Sequence, residues 1–137
     1  MEYISKSLSE TEKLAKKLLT ENPEVKLVGL IGDLGSGKTV FVKGVAKALK
    51  IKRNITSPTF VIEKIYPTDQ GKNLVHIYAY RLSLRQDLES IGYDELTTDS
   101  INLIFIEWPE RVFSRLPENM KIINFKYVDE KTRKISW

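Results

Sequence analysis

Hydrophobic positions along this chain recur at two spacings, and the places where the spacing changes divide it into elements. Thr11, Leu14, Ala15, Leu18 and Leu19 repeat three and four apart, which marks one face of a helix. Ser9-Glu10-Thr11-Glu12 has the S-x-x-E form of a capping box, and Asn22-Pro23 stops the pattern, so a helix is predicted from about Ser9 to Thr20. Val25, Leu27, Val28, Leu30 and Ile31 form a nearly continuous apolar run, as a strand covered on both faces does. Helical spacing then returns at Val42, Val45, Ala46 and Leu49, predicting a helix over 40–49.

Beyond Lys50 the pattern shortens. A loop is predicted over 51–57 and a strand over 59–66, with Pro58 between them. Turn-forming residues over 67–73 lead into a second strand over 74–80, so the pair reads as a hairpin. In that strand Val75, Ile77 and Ala79 share one face, and His76, Tyr78 and Tyr80 share the other. A short helix is predicted over 84–91 with Gly92 as its stop, then an apolar strand over 102–107. Residues 109–116 are helical or irregular. Strands over 120–128 and 132–137, joined at Asp129-Glu130-Lys131, form a C-terminal hairpin. Strands alternating with helices predict a parallel α/β sheet, and two hairpins make it mixed. The expected fold is a single domain over 1–137, with helices flanking a mixed, partly parallel central sheet.

The stretch between the first strand and its helix changes the picture most. Gly32-Asp33-Leu34-Gly35-Ser36-Gly37-Lys38-Thr39 is G-x-x-x-x-G-K-T, a phosphate-binding loop, and its flanks are the strand and helix that this motif requires. Glycines let backbone N–H groups close around phosphate, and the helix N-terminus adds partial positive charge there. Asp33, Leu34, Gly35, Ser36, Gly37, Lys38, Thr39 and Val40 are therefore the expected nucleotide-binding run. Lys38 is suited to the β- and γ-phosphates and the Thr39 hydroxyl to Mg²⁺. Glu107 ends the strand Leu103-Ile104-Phe105-Ile106, as the acid that anchors Mg²⁺ ends its strand in such enzymes; an ordinary solvated strand-ending acid is the alternative. Ser57-Pro58-Thr59-Phe60 stands where switch-type enzymes fold over the γ-phosphate, and a plain loop entering a strand fits equally well. Lysine, glutamate and threonine at 38, 107 and 59 are thus the candidate catalytic set.

Composition adds exclusions. Cysteine is absent and there is one histidine, which excludes disulfides, thiolate metal sites and multi-histidine sites. No apolar stretch approaches a membrane span, and cytoplasmic residence is the expectation. A net charge of +4 and a pI near 9.2 favour polyanionic partners, and five basic residues after position 120 make the C-terminal hairpin a candidate for RNA or partner contact. The guanine-specifying N-K-x-D motif is missing, which favours ATP over GTP.

Taken together, Thr11, the loop Leu34–Thr39, Ser57–Phe60, His76 with Tyr80-Arg81-Leu82, and Ile106-Glu107-Trp108-Pro109-Glu110-Arg111 resemble the TsaE (YjeE) family of small P-loop ATPases. The resemblance implies an ATP- and Mg²⁺-dependent ATPase that supports threonylcarbamoyl modification of adenosine 37 in tRNA. It implies action alongside a TsaB–TsaD pair, with tRNA contact indirect. By position it places Thr11 and, more loosely, Arg133 near the base, and makes Ser57–Phe60 switch-like. One departure stands out. The family's H-x-D-x-Y-R block reads His76-Ile77-Tyr78-Ala79-Tyr80-Arg81 here, so Tyr78 replaces an expected carboxylate. A phenol with a reference pKa of about 10 is no carboxylate base near neutral pH, so hydrolysis is expected to be slow. Two other functions remain open: a nucleotide-gated binding module with negligible hydrolysis, and a small-molecule kinase.

Overall fold

A computed structural model describes residues 1–55 and 62–137. The predicted switch segment, Thr59 included, lies outside the described residues.

The elements run β1 (Glu2–Ser5), α1 (Leu8–Glu21), β2 (Leu27–Ile31), α2 (Lys38–Ala48), β3 (Glu63–Pro67), β4 (Asn73–Tyr78), α3 (Arg85–Glu89), α4 (Tyr93–Thr98), β5 (Asn102–Glu107), β6 (Lys121–Tyr127) and β7 (Arg133–Ser136). A single 3-10 turn, Pro109–Arg111, follows β5. All seven strands join one sheet in the order β1-β7-β6-β2-β5-β4-β3. The centre is parallel: β2 pairs with β5 and β6, and β4 pairs with β5. Both edges are antiparallel, through β3–β4 on one side and β6–β7–β1 on the other. The two hairpins therefore mix the sheet as their turn chemistry predicts.

Strand alternation sorts the core into two layers. Val28, Leu30, Leu74, Phe105 and Ile123 point to the side covered by α1 and α2. Leu27, Val75, Ile77, Ile104 and Ile106 point to the side covered by α3, α4 and the 3-10 turn. The helices α1 and α2 pack closely because Gly44 lies at their crossing. A Cβ there would stand 2.7 Å from the Glu12 Cα and 2.8 Å from the Ala15 Cβ. That is nearer than real Cβ atoms come, so only glycine fits this crossing.

One sequence-based boundary needs correction, and α4 is additional to the expected helices. The cap of α1 is Ser7, not Ser9: the Ser7 hydroxyl accepts from the Glu10 N–H at 3.0 Å. Ser7-Leu8-Ser9-Glu10 is itself S-x-x-E, two residues earlier, and Glu10 reaches back to the Lys6 N–H. The cap wins there because β1, absent from the prediction, carries the chain in ahead of it. The helix expected over 84–91 is α3, and Gly92 at φ 78° stops it as expected; α4, which Gly92 caps, is additional to the prediction. Of the strand expected over 59–66, residues 63–66 are strand, and 59–61 lie outside the described residues.

Candidate functional site

Parallel pairing brings three strand ends to one edge. Leu30 lies beside Glu107, and Glu107 lies beside Tyr78. The strand that feeds the glycine loop, the strand-ending acid and the departure at position 78 therefore stand side by side. Strand parity turns His76, Tyr78 and Glu107 toward α2.

The loop itself is built on positive φ angles at Gly35 (78°) and Gly37 (103°). Residues with a Cβ rarely adopt these, and a chain turned this way aims successive N–H groups inward. Gly37 caps α2 without any side-chain hydrogen bond, so the first-turn N–H groups of the helix remain available to an anion. The Ser36 hydroxyl is buried and has no partner among the described residues. The Lys38 ammonium donates to the carbonyls of Gly32 and Asp33, the latter at 3.3 Å. It also lies 3.9 Å from the centre of the Trp108 ring. Burial lowers the Lys38 pKa, and the Glu107 carboxylate works against that shift.

The first residue of the following turn of helix completes a contact across the fold. The Thr39 hydroxyl donates to Glu107 Oε2 at 3.1 Å, across a separation of 68 residues. The same oxygen accepts from His76 Nε2 at 2.6 Å. His76 is fully buried and Glu107 is 2% exposed, so the acid is held from two sides and is not a solvated strand end. His76 is a structural partner of that acid, a contact the sequence placed on the correct face but did not identify. Tyr78 is 7% exposed and borders the same cavity; burial, and then Glu107, raises its pKa, so the phenol keeps its proton.

Trp108 follows the acid with φ 64°, an uncommon conformation for a residue with a large side chain. That turn ends β5 abruptly and sets the indole over Lys38. The Tyr80 ring lies tilted at 57° against Trp108, 4.9 Å between centres, and the Arg111 guanidinium lies 4.8 Å from the Tyr80 ring.

Lys38, Thr39, Tyr78, Glu107 and Trp108 line a cavity of about 790 Å³ at the carboxyl edge of the parallel strands, which His76, Tyr80 and Arg111 do not border. Its walls include every loop residue from Leu34 to Val40, and Thr11, Glu107 and Arg133. Arg133 is positioned by β7: its Nε donates to the Gly35 carbonyl at 3.1 Å and its Nη1 to the carbonyls of Asp129 and Thr132. The Thr11 hydroxyl is 2.7 Å from that of Ser5, which fixes its place in the wall. Asp33 is an exception among the expected nucleotide contacts. It lies outside the cavity wall and acts through its carbonyl, which accepts from Lys38 and from the Ser36 N–H.

The donor set suits a magnesium-bound nucleotide. No cluster of three acidic or histidine side chains exists among the described residues, so a metal here rests on one carboxylate and one hydroxyl. Mg²⁺ accepts that pattern, since it keeps several waters and takes its other ligands from phosphate. The orphaned Ser36 hydroxyl and the open first turn of α2 supply donors for the phosphate itself.

No helix of the described residues is long and apolar enough to cross a membrane. Residues 5–135 match the family model described as "Threonylcarbamoyl adenosine biosynthesis protein TsaE". A TsaE protein of Treponema pallidum is 36% identical over 137 residues, covering 99% of this chain and 98% of its own length. That of Aquifex aeolicus is 37% identical, covering 98% of this chain and 92% of its own. Both carry the name tRNA threonylcarbamoyladenosine biosynthesis protein TsaE. The crystal structure of Bacillus subtilus YdiB superposes with a TM-score of 0.77 at 29% identity, covering 98% of this chain and 82% of that one. With its fold, its phosphate loop and matches of this extent, the chain belongs to the TsaE family.

Proposed function

We propose that this protein is an ATP-binding, slowly ATP-hydrolysing subunit of the cytoplasmic machinery that installs threonylcarbamoyl on adenosine 37 of tRNA, acting with a TsaB–TsaD pair. The observation that carries the reading is the meeting of Lys38, Thr39 and Glu107 at one cavity wall. Loop, helix start and distant acid have no structural need to converge there. Together they supply a cation, a hydroxyl and a carboxylate for a metal-bound triphosphate.

The chemistry follows from these groups. Water attacks the γ-phosphorus, the bond to the β–γ bridging oxygen breaks, and ADP and phosphate leave. Lys38 exchanges its loop carbonyls for phosphate oxygens, offsetting their negative charge. N–H groups of the loop and of the first turn of α2 hold the phosphates in place. Mg²⁺, when bound, withdraws charge from the phosphate oxygens. Thr39 and Glu107 are the residues that would hold it, and His76 fixes the carboxylate orientation. Trp108 covers Lys38 and limits water around it.

A second reading has its own observation. Tyr78 occupies the strand position beside Glu107 where the family pattern has an acid, and its phenol stays protonated. That favours a protein which binds ATP well and turns over slowly, so that binding itself is the signal. A small-molecule kinase is disfavoured, since the described residues offer no lid over the cavity.

The test is ATP binding and phosphate release with Mg²⁺, alone and with a TsaB–TsaD pair and tRNA, while assaying for any phosphorylated acceptor. Micromolar binding, about 8 kcal/mol, with partner-dependent phosphate release supports the ATPase. Binding without release under any condition establishes the gated module. Absence of binding contradicts both.

A further inference from the structure

We propose that the exposed face of α2 and the turn after it form a docking surface for the phosphate backbone of a folded RNA. The inference rests on the reading above only in taking tRNA as the RNA to test.

The net positive charge is not spread along the chain. Residues 1–55 carry 11 basic and six acidic side chains, and residues 56–137 carry 11 basic and 12 acidic. Residues 34–62 contain no acid at all. Within that run, Lys38 faces the nucleotide cavity. Lys43, Lys47, Lys50, Lys52 and Arg53 are all exposed. Lys43 and Lys47 stand at i and i+4 on α2, and Lys50 follows just past its end, together a basic stripe. Lys52 and Arg53 extend it past the helix end, and Arg53 is steadied 5.8 Å from the Tyr66 ring. Glu12 intrudes, pairing with Lys47 at 2.6 Å.

Two further observations point to a ligand. First, Lys50 sits at φ 61°, where a helix end favours glycine. The Ile51 N–H donates to the Ala46 carbonyl at 2.9 Å, the long closing bond of a glycine-type helix end. A lysine there carries its charge at a position where glycine is the less strained choice. Complementing the helix dipole accounts for cations in the last turn, but not for Lys43, Lys52 or Arg53. Second, α2 and residues 49–55 carry no large exposed apolar side chain. Among the described residues, the large exposed apolar side chains are Met1, Ile4, Leu8, Leu34, Ile65, Leu84, Ile101, Tyr127 and Val128. The cores of protein interfaces are more apolar than this face, and amphipathic membrane helices carry an inserting apolar side that it lacks. A basic surface without either fits a phosphodiester backbone.

The C-terminal hairpin fits that role less well than its lysine content suggests. Arg133 is spent on backbone carbonyls beside the glycine loop, and Lys134 lies 3.8 Å from Glu2.

The experiment is fluorescence anisotropy of a labelled tRNA transcript with the full chain and MgATP, between 50 and 200 mM salt. Neutralising about four phosphates predicts a salt slope near −3 to −4. The double variant Lys43→Glu/Lys52→Glu is expected to lose at least about tenfold in affinity and to flatten the slope by roughly two. Lys126→Glu, an equal charge change on the C-terminal hairpin, is expected to bind as wild type. Lys50→Gly is expected to weaken RNA binding while raising the melting temperature by about 2–4 °C, because it relieves the backbone. Thermal melts confirm that the glutamate variants fold. Equal tRNA affinity for the double variant and wild type overturns the proposal. So does an equal loss in Lys126→Glu, or a double variant that keeps tRNA but loses a protein partner. Failure of the wild type to bind ATP in a separate titration contradicts the proposed function and leaves the salt-dependent RNA result standing.

Discussion

The glycine loop and the acid edge of this site are built on opposite principles. The loop over 32–39 is local: its donors come from consecutive residues, and its shape comes from glycines at 35 and 37. The acid edge is non-local: His76, Tyr78 and Glu107 come from two neighbouring strands, and Glu107 meets both His76 and Thr39 because parallel register brings the strand ends level. The difference teaches where function can vary. A local motif survives changes elsewhere in the chain. A register-built site can accept substitution at one position, such as Tyr78, without disturbing the loop. Binding and turnover are therefore expected to be separable in this protein.

The strongest way to break that separation is at the loop. Lys38→Ala removes the ammonium held against the loop carbonyls of Gly32 and Asp33, and a charge-assisted hydrogen bond is worth enough to cost about 100-fold in ATP affinity. Titration calorimetry measures it. An unchanged affinity would mean that the nucleotide does not sit on this loop.

A smaller effect is expected at the acid edge. Tyr78→Asp places a carboxylate beside Glu107, in register with it. If turnover is slow because that acid is missing, phosphate release should rise about tenfold or more with Mg²⁺ present. ATP affinity should stay within a few-fold, since the loop is untouched. No gain in rate would mean that the phenol is not what limits hydrolysis.

The contrast also explains what could be read from the chain alone. The loop, its flanking strand and helix, and the placement of Glu107 at a strand end all follow from short-range pattern. So do the mixed sheet and the two faces of the strand carrying His76. The partners across the sheet did not follow. Nothing in the spacing of residues 76 and 107 says that their side chains lie 2.6 Å apart. That contact depends on β4 and β5 pairing in parallel, three-dimensional information that no local periodicity holds. The first strand was missed for a similar reason. Glu2–Ser5 is short, mostly exposed, and made a strand only by pairing with β7. The Ser9 cap failed because two overlapping S-x-x-E patterns compete, and the entry of β1 selects the earlier.

The smallest effect comes from that cap. Ser7→Ala removes the acceptor for the Glu10 N–H at the start of α1 and should cost about 1 kcal/mol in a denaturant melt. ATP affinity should barely move, although Ser7 borders the cavity, because its hydroxyl is engaged by the helix end. A large loss of affinity with unchanged stability would instead make Ser7 a nucleotide contact.

The most direct test of the account is Glu107→Gln, measured for MgATP binding and for phosphate release in the same preparation. Glutamine preserves the size of the side chain and a partner for Thr39, but removes the charge. The account predicts ATP affinity within a few-fold of wild type and phosphate release down about 100-fold. Release at the wild-type rate would contradict it, because the acid held by Thr39 and His76 would then have no part in turnover.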